Sequence, residues 1–511
     1  MSATPQPLVI QPGRSLGWIT LGSSLYSVIC RLKAQPDLYP NLDLAYSSAQ
    51  PLSEAVIVTV PSTGLRLRFD GPDQRLRLIE VYDFSKATMT YHNIEVVRKP
   101  KVSNDPAVPE TPALGPSFRH VYQRLVGPAY EGEYIAPSPG HATGTYVLSY
   151  PGLAFSFPIQ HKSWSARADF VRMLDSSAAG PAKSLAIFSG PSWPEARPGL
   201  FTATPPYPRS TALIGKLAEN APDEVDEVRL YSAGKVEFIR RASPAVLVQL
   251  GESTAQDLVA EFGPPDAVYR KHDNRLSIHA AAASSGRRRP SVSPGLDPHT
   301  VETDHRSSQS YTDSSDADII SVGKQNDVQT ACFYNYFHHG FDALVSPPKS
   351  RSPAFPGQEL AASSDNHSVQ PVVTKLFLHG NVPGSYVFNR HRRCRWKIIH
   401  PSNPNSDRLN SETPFSDLRL RLGHLWQELY EDEEEQKKMQ RAMVLNRGWD
   451  ESPDSSVELL GGFEDGYEAA TQTVRMSNEI STELNNTDLY GFPGMLFEVL
   501  KNDAISCLTV Y

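Results

Sequence analysis

Cysteine is scarce in this sequence, and long apolar runs are missing. The 511 residues include four cysteines, spread along the chain at Cys30, Cys332, Cys394 and Cys507. Thiols so far apart do not build a disulfide framework, so we expect reduced side chains. No apolar run reaches the roughly 18 residues that a membrane-spanning helix needs, and the first residues lack the basic and apolar regions of a secretion signal. We therefore expect a cytoplasmic protein whose membrane contacts are peripheral.

The familiar catalytic and cofactor-binding motifs are missing as well. The sequence contains no P-loop, no GxGxxG after a strand, no HExxH, no GxSxG and no kinase signature set. Its formal net charge is only −8, from 49 basic and 57 acidic residues, which does not favour bulk binding of nucleic acid. We expect no enzyme and no cofactor, and we predict no catalytic residue.

Proline is abundant, with 43 residues, while hydrophobic residues make up 39% of the chain. This composition indicates folded modules separated by Pro- and Ser-rich loops. The clearest module start is the stretch from Gly251 to Pro265. Ser253 and Gln256 have the spacing of a capping box, and Gly263 with Pro264 predicts the helix end. Between them an apolar stripe with helical spacing is formed by Ala255, Leu258, Val259 and Phe262.

Similar helical stripes recur, and a glycine-led strand follows each one. The stripes are Leu25, Val28, Ile29 and Leu32; Phe118, Val121, Tyr122 and Leu125; and, more weakly, Phe415, Leu418 and Leu422. Apolar residues alternate after each glycine, which is typical of a strand with one buried face. The glycines are Gly64, Gly152, Gly340 and Gly494. The pattern predicts an α+β fold made of repeated modules, each with one short helix packed on an antiparallel β-sheet.

Four modules account for the chain. We place them at residues 8–98, 115–250, 251–400 and 412–511. The third contains a Ser-, Asp-, Arg- and Pro-rich insert at about 279–326, which we expect to be disordered because it has few large apolar side chains to bury. The fourth contains an acidic and polar insert at about 428–487, whose acidic run we interpret as a solvated helical arm.

Basic residues alternate with apolar ones at two places. Strand alternation puts four guanidinium groups on one face of a hairpin, and three more cations on one side of a later strand. Arginine clusters of this kind suit phosphate groups, and on a cytosolic protein the headgroups of anionic lipids are a natural partner. The alternative is an ordinary solvated sheet face, on which arginine stems cover apolar surface. The predicted lipid-phosphate ligands are Arg66, Arg68, Arg75, Arg77, Arg393, Arg395 and Lys397.

Histidines and cysteines gather in the third module without forming a recognisable metal motif. One close pair, His391-x-x-Cys394, has no second pair to complete four ligands. We therefore predict no metal site and interpret these residues as surface histidines and buried thiols. The group comprises Cys332, His338, His339, His379, His391 and Cys394.

Several stretches together resemble the phagophore assembly factor family of eukaryotes. They are PGRSLGWITLGSSLYSVICRL from Pro12, LRFDGPDQRLRLIEVYDFSK from Leu67, FYNYFHHGFDALV from Phe333, PGSYVFNRHRRCRWKI from Pro383 and GFPGMLFEVLKNDAISCLTVY from Gly491, with a weaker GLAFSFPIQ from Gly152. They span nearly the whole chain in order. The long inserts depart from the shorter animal members and are similar to those of a fungal-type member.

The resemblance implies a non-enzymatic adaptor in autophagy and membrane trafficking. It implies action at the phagophore assembly site, phosphoinositide binding, and a complex with a β-propeller protein of the phosphoinositide-binding type. The alternatives are a pure protein-interaction scaffold that does not bind lipid directly and, less expected, a Golgi-trafficking factor. The resemblance assigns no binding residues, so the basic stripes rest on the alternation alone.

Overall fold

A computed structural model describes most of the predicted modules. The described residues are 7–97, 115–202, 223–271, 331–347, 370–400, 409–427, 430, 432–446, 457–459, 474–476 and 486–511. The predicted disordered insert at 279–326 and most of the polar insert at 428–487 lie outside them. Of the acidic run, Glu433 to Glu435 begin a short helix.

The described elements are mainly strands. The first thirteen are β1 Leu8–Gln11, β2 Ser15–Leu16, β3 Ile19–Thr20, β4 Leu42–Ala45, β5 Val56–Val60, β6 Leu65–Phe69, β7 Leu76–Val81, β8 Met89–Tyr91, β9 Ile94–Glu95, β10 Glu133–Ile135, β11 Thr143–Tyr150, β12 Leu153–Gln160 and β13 Ser184–Phe188. The others are β14 Val225–Leu230, β15 Lys235–Arg240, β16 Val246–Gln249, β17 Ala267–Lys271, β18 Cys332–Tyr336, β19 Phe341–Ser346, β20 Val372–His379, β21 Trp396–Ile398, β22 Met443–Asn446, β23 Val457–Leu459, β24 Val474–Met476, β25 Asn486–Phe492, β26 Met495–Leu500 and β27 Ile505–Val510.

The described helices are short. They are α1 Leu25–Lys33, α2 Phe118–His120 with a π-helical continuation at Val121–Leu125, α3 Phe170–Leu174, α4 Trp193–Ala196, α5 Ala255–Phe262, α6 Phe415–Leu425 and α7 Glu433–Met439. Single 3₁₀ turns lie at His161–Ser163, Arg197–Gly199 and Ser232–Gly234.

Each glycine-led strand forms the antiparallel hairpin that alternation predicts. The four pairs are β6 with β7, β12 with β13, β19 with β20 and β26 with β27. Every leading glycine has a positive φ, from 66° at Gly64 to 84° at Gly340. A Cβ on Gly340 would lie 2.4 Å from the carbonyl oxygen of Arg392, so close backbone approach also requires glycine there. The repeated α+β modules predicted from the sequence are confirmed.

The start of each module helix is tied to residues at the start of the second hairpin strand or just before it. Leu25 donates its backbone N–H to the carbonyl of Gln74 at 2.8 Å, and Phe415 donates to that of Asp503 at 3.0 Å. In the other two modules Pro116 accepts from Ala182 at 2.9 Å, and Ser253 accepts from Val373 at 2.8 Å. The modules therefore repeat the same tertiary hydrogen bond as well as the same sequence pattern.

Modules join in pairs through their hairpin return strands. Strand β7 pairs antiparallel with β13, with Ile79 opposite Ile187. Strand β20 pairs antiparallel with β27 in the same way, with Leu378 opposite Leu508. Each junction creates one nine-stranded sheet, because the return strands of two modules pair with each other in antiparallel orientation. The sheet orders are β10-β11-β12-β13-β7-β6-β5-β4-β24 and β22-β25-β26-β27-β20-β19-β18-β17-β23.

Two large hydrophobic cores follow from this pairing. One contains buried residues between Ile10 and Ile187, and the other contains buried residues between Val225 and Val510. Strands β14 to β16 belong to the second core and form a four-stranded sheet with β21. They were placed with module two from the sequence, whereas their apolar side chains pack with modules three and four. We refer to residues 7–202 as the first half and residues 223–511 as the second half.

The helix predictions need two corrections. The α5 cap is Thr254, not Ser253; its side chain accepts from Asp257 N while Asp257 returns the bond in a capping box. Val259 of the predicted stripe is 40% exposed, although Leu258 is buried. The stripe of α1 is fully buried as predicted. The stripes of α1 and α5 differ in burial because the sequence period determines only which face of a helix is apolar. How much of that face is buried depends on the neighbouring sheet.

Candidate functional site

The β6–β7 hairpin carries the predicted Arg75, just before β7, and Arg77, within β7, and neither belongs to an open basic face. Their exposures are 4% and 6%. A β-bulge interrupts the pairing between Arg68 and Phe69. Arg68 is opposite Leu78 and Phe69 is opposite Leu76, so Arg77 has no direct cross-strand partner. A bulge bends the strand and re-aims side chains, so the simple alternation that we assumed does not hold here.

Both guanidinium groups are held by carboxylates. Arg77 donates from Nε to Asp70 Oδ2 at 2.5 Å, and its Nη2 lies 3.4 Å from Asp73 Oδ2. Arg75 donates to Glu224 and lies 3.6 Å from Asp226 Oδ1. Because Glu224 and Asp226 belong to the second half, Arg75 joins the two halves of the chain.

Residues of the second basic stripe lie at the same contact between the two halves. Strand β21 begins only at Trp396, so Arg393 lies in the preceding loop and its side chain is 1% exposed. Its Nε donates to Pro72 O at 2.6 Å and its Nη1 to Gly380 O at 2.8 Å. A loop position covered by the other half cannot be deduced from strand alternation.

Arg395 continues these contacts toward solvent. It donates to Glu412 Oε1 at 2.8 Å and to Asp73 Oδ1 at 2.5 Å, and its side chain is 34% exposed. Burial would lower its pKa, but the charges of Glu412 and Asp73 raise it. Lys397, two residues later on β21, is half-buried and also has interactions of its own.

Glu224 is the electrostatic centre of the junction. Burial by itself raises the pKa of Glu224, yet the charges of Arg392 and Arg75 outweigh burial and hold the pKa at about 2, against an ordinary 4.5. Arg392 is buried too, and burial together with the nearby Arg75 lowers its pKa to about 10. Arg392 also donates to Val225 O at 2.8 Å. Glu224 and Arg392 are therefore both charged at neutral pH, and together with Arg75 they form a buried ion cluster.

A reciprocal amide pair completes the junction. Gln74 donates to Asn381 O, and Asn381 donates to Gln74 Oε1, both at 2.8 Å. Each residue is 2% exposed and each has a left-handed backbone, with φ values of 50° and 45°. Non-glycine residues in this conformation persist where surrounding contacts hold them. We call the whole set the arginine junction; it consists of Asp70, Asp73, Gln74, Arg75, Arg77, Glu224, Asp226, Asn381, Arg392, Arg393, Arg395 and Glu412.

Arg66 and Arg68 are the predicted cations that stay on an outer strand face. Their side chains are 39% and 32% exposed, and both lie beside Glu80, at 3.9 and 3.0 Å. The guanidinium of Arg66 also lies 5.4 Å from the ring centre of Tyr82. Two arginines that share one carboxylate leave one positive charge at the surface.

The histidine group divides into members that meet and members that do not. His379 and His391 each direct Nε2 at one oxygen of Asp342, at 2.8 Å, and their rings stack with centres 3.7 Å apart. His338 lies elsewhere, 3.9 Å from Asp266. The prediction of surface histidines is wrong for His379 and His391, whose side chains are only 16% and 11% exposed.

Asp342 and Cys507 were not selected from the sequence. In the sheet Asp342 is opposite Phe377, two residues from His379, and His379 is directly opposite Cys507. Directly opposed residues and those two apart share a sheet face, so Asp342, His379 and Cys507 lie on the same face of three adjacent strands. The sequence did show one polar residue at an outward position of each of these three strands. Only the strand register, however, shows that these three residues lie side by side.

Asp342, His379 and His391 form a buried cluster in which the two histidines differ in pKa. Burial would raise the pKa of Asp342, but the His379 charge and both hydrogen bonds hold it far below its ordinary value. Burial would lower the pKa of His379, whereas Asp342 and Cys507 raise it to about 10. For His391, burial and the His379 charge lower the pKa. The arrangement is a carboxylate between one imidazolium and one neutral imidazole.

These features define a class of protein: a two-half α+β scaffold whose halves are joined by buried ion pairs. Among the described residues, no helix is both long and apolar enough to cross a membrane.

Comparison with known proteins identifies the family. The family model described as phagosome assembly factor 1 matches residues 15–293 and 306–511, so the chain belongs to the phagosome assembly factor 1 family. The recognition made from the sequence is thereby confirmed. This is a family of phagosome assembly factors and not a known enzyme family.

Relatives in three eukaryotes match over long alignments. A PHAF1 protein of Arabidopsis thaliana is 23% identical over 510 residues, covering 98% of this chain and 92% of the relative. A PHAF1 protein of Drosophila melanogaster is 22% identical over 522 residues, covering 99% and 94%. One of Caenorhabditis elegans is 24% identical over 391 residues, covering 74% of each. No solved structure matches the chain.

Proposed function

We propose that this protein is a non-enzymatic adaptor of autophagy that acts at the phagophore assembly site. The observation that carries the proposal is the family match over nearly the whole chain. The arginine junction supports it, because buried ion pairs tie the two halves together and give their outer surfaces a defined relative position. An adaptor needs such a fixed spacing between the surfaces that bind its partners.

The adaptor would contact phosphoinositide membranes directly through its outer cations. Arg66 and Arg68 are the strongest candidates, because they are partly exposed and share Glu80, as described above. A phosphate group could replace one shared contact and accept from both guanidinium groups. Arg395 and Lys397 would contribute less, since Arg395 is already engaged by Glu412 and Asp73.

Liposome flotation tests the lipid contact. The double variant Arg66→Glu and Arg68→Glu should lose binding to phosphoinositide vesicles while retaining the wild-type melting temperature. Arg172→Glu is the control, because its side chain is 92% exposed on the first half and its ion-pair partner is the nearby Asp169, which is not a residue of the arginine junction. If the double variant floats as well as the control, the outer face of β6 is not the lipid site.

A second candidate is a pure protein-interaction scaffold, recruited to membranes through a β-propeller partner. The observation that favours it is the burial of Arg75, Arg77 and Arg393, which removes three predicted phosphate ligands from the surface. The family resemblance supports the β-propeller partner, and it also supports a role in Golgi-derived trafficking. In this case the purified protein would ignore liposomes of every composition and bind them only when the purified propeller protein is added.

A further inference from the structure

Two buried histidines share one carboxylate at the end of strand β20. His379 and His391 each donate Nε2–H to a different oxygen of Asp342 at 2.8 Å. Their rings stack with centres 3.7 Å apart, at an interplanar angle of 15°. None of these three residues takes part in the arginine junction or in the proposed lipid contact. The proposed function therefore leaves this cluster unexplained.

The single carboxylate compensates only one positive charge. Asp342 faces both histidines from β19, and Cys507 on β27 is a second hydrogen-bond partner of His379. Arg390, in the same loop as His391, adds a positive charge nearby. Because Nε2 of His391 already carries a hydrogen, a further proton must bind its Nδ1. That proton would place a second imidazolium against the first, in a buried position where water screens their repulsion poorly.

His391 also holds the loop at 380–395 against the sheet. The loop begins directly after His379, the last residue of β20, and Arg393 follows His391 by two positions. Arg393 reaches the first half, where its Nε donates to Pro72 O at 2.6 Å. A displacement of His391 would therefore move the nearby residue that makes this contact between the halves.

We propose that His391 is a proton sensor that controls the contact between the two halves. At neutral pH its uncharged imidazole donates to Asp342 and keeps the loop closed. When the imidazole takes up a proton from solvent, repulsion from the charged His379 displaces it toward solvent, and the loop opens. Opening withdraws Arg393 from Pro72 and loosens the contact between the halves.

The direction of the pH dependence follows from the two histidines. Burial, and then the charge of His379, lower the pKa of His391 below its ordinary 6.5, so the closed loop holds this proton less tightly than the open loop does. Below pH 6.5 the equilibrium therefore shifts toward the open loop, by at most about tenfold per pH unit for one proton. Asp342 raises the pKa of His379 to about 10 against the effect of burial, so the contribution of His379 is complete below pH 6.5 and is lost only as the pH rises.

Hydrogen–deuterium exchange of the full-length protein at about pH 7.5 and about pH 5 tests the proposal, with rates corrected for the intrinsic effect of pH on exchange. Segments 380–395 and 70–77 should lose protection together in acid, by up to about tenfold per pH unit. Strand β12, in the core of the first half, should keep its protection, which distinguishes local opening from unfolding. Equal protection of both segments at the two pH values would overturn the proposal, and this comparison needs no variant.

The variant His391→Gln separates this sensor from other groups that titrate in acid. Its amide can still donate to Asp342 but cannot take up a proton, so the loop should stay protected at about pH 5. His338→Asn is the control and should open like the wild type, because His338 is 48% exposed and lies beside Asp266. A His391→Gln loop that opens like the wild type would contradict the proposal. It would assign the acid response to another group, such as the buried His339, whose pKa burial lowers to about 4.

The variant His379→Gln tests the repulsion itself, and it serves as the second variant if His391→Gln does not fold. With the stacked charge removed, Asp342 compensates His391 alone, and protonation of His391 should no longer open the loop. If this variant opens in acid as readily as the wild type, the charge of His379 does not drive the opening and the proposed mechanism is wrong. Lipid and propeller binding are measured separately at neutral pH, so failure here leaves the proposed function untouched.

Discussion

Replacing Arg393 with alanine tests whether the arginine junction stabilises the protein. The side chain is 1% exposed and serves Pro72 O, Gly380 O and Glu412 together. The substitution leaves buried carbonyl oxygens without a donor and Glu412 with less compensating charge. Breaking a buried ion pair from one side costs about 3–5 kcal/mol. For units of this size we expect the melting temperature to fall by about 10 °C.

Differential scanning calorimetry is the suitable assay, because a chain with two cores need not unfold in one step. The Arg393→Ala variant should melt earlier, and the transitions of the two halves should separate as their contact weakens. Arg393→Lys should recover only part of the loss, since an ammonium group lacks the planar fork that reaches several acceptors. Arg172→Ala is the control, because an exposed arginine contributes within about 0.5 kcal/mol. If Arg393→Ala melts together with this control, the junction does not stabilise the protein and our interpretation is wrong.

Two further predictions concern charge and backbone. Glu224 has a folded pKa of about 2, below its ordinary 4.5, so its stabilisation is present above about pH 5 and is lost as the pH falls toward 2. Above about pH 5, wild type should be more stable than Glu224→Gln by about 3 kcal/mol, measured as a difference in melting temperature. This difference should shrink as the pH falls toward 2, and a difference that does not change with pH would contradict the prediction. Gly340 and Gly263 both have positive φ, 84° and 81°, but only at Gly340 would a Cβ meet backbone, since nothing lies within 4 Å at Gly263. Both alanine variants should lose about 1–3 kcal/mol of stability from the positive φ, and Gly340→Ala should lose roughly a further 1–3 kcal/mol from crowding; equal losses in urea unfolding would refute the close contact.

Local sequence pattern was sufficient for the hairpins and for most of the helix faces. A glycine followed by alternating apolar residues predicts β6, β12, β19 and β26, and the apolar stripe predicts the buried face of α1. These features depend on backbone geometry within a few residues, which the side chains themselves dictate. The cap of α5 was missed by one position, because Ser253 and Thr254 are both capable caps and the final turn geometry chooses between them.

The arginines show where local reasoning ends. Alternation treats every strand residue as pointing to one of two faces, and it predicted outward side chains at Arg75, Arg77 and Arg393. A bulge in the β6–β7 hairpin and the late start of β21 changed their directions, and the other half of the chain then covered them. Burial of a charge is decided by which carboxylates come within reach, and Arg75 meets its partner Glu224 across 149 positions of sequence.

The sequence by itself determined the module, its repetition along the chain and the family, since each depends on residues that are close together or on their order. Only the tertiary structure decided that modules join through β7 with β13 and β20 with β27, that five arginines form a junction, and that Asp342 lies between His379 and His391. The physical reason is that pairing register and loop coverage arise from contacts between residues that are tens to hundreds of positions apart in the sequence. Such contacts reward burial and ion pairing only after the modules have formed and met.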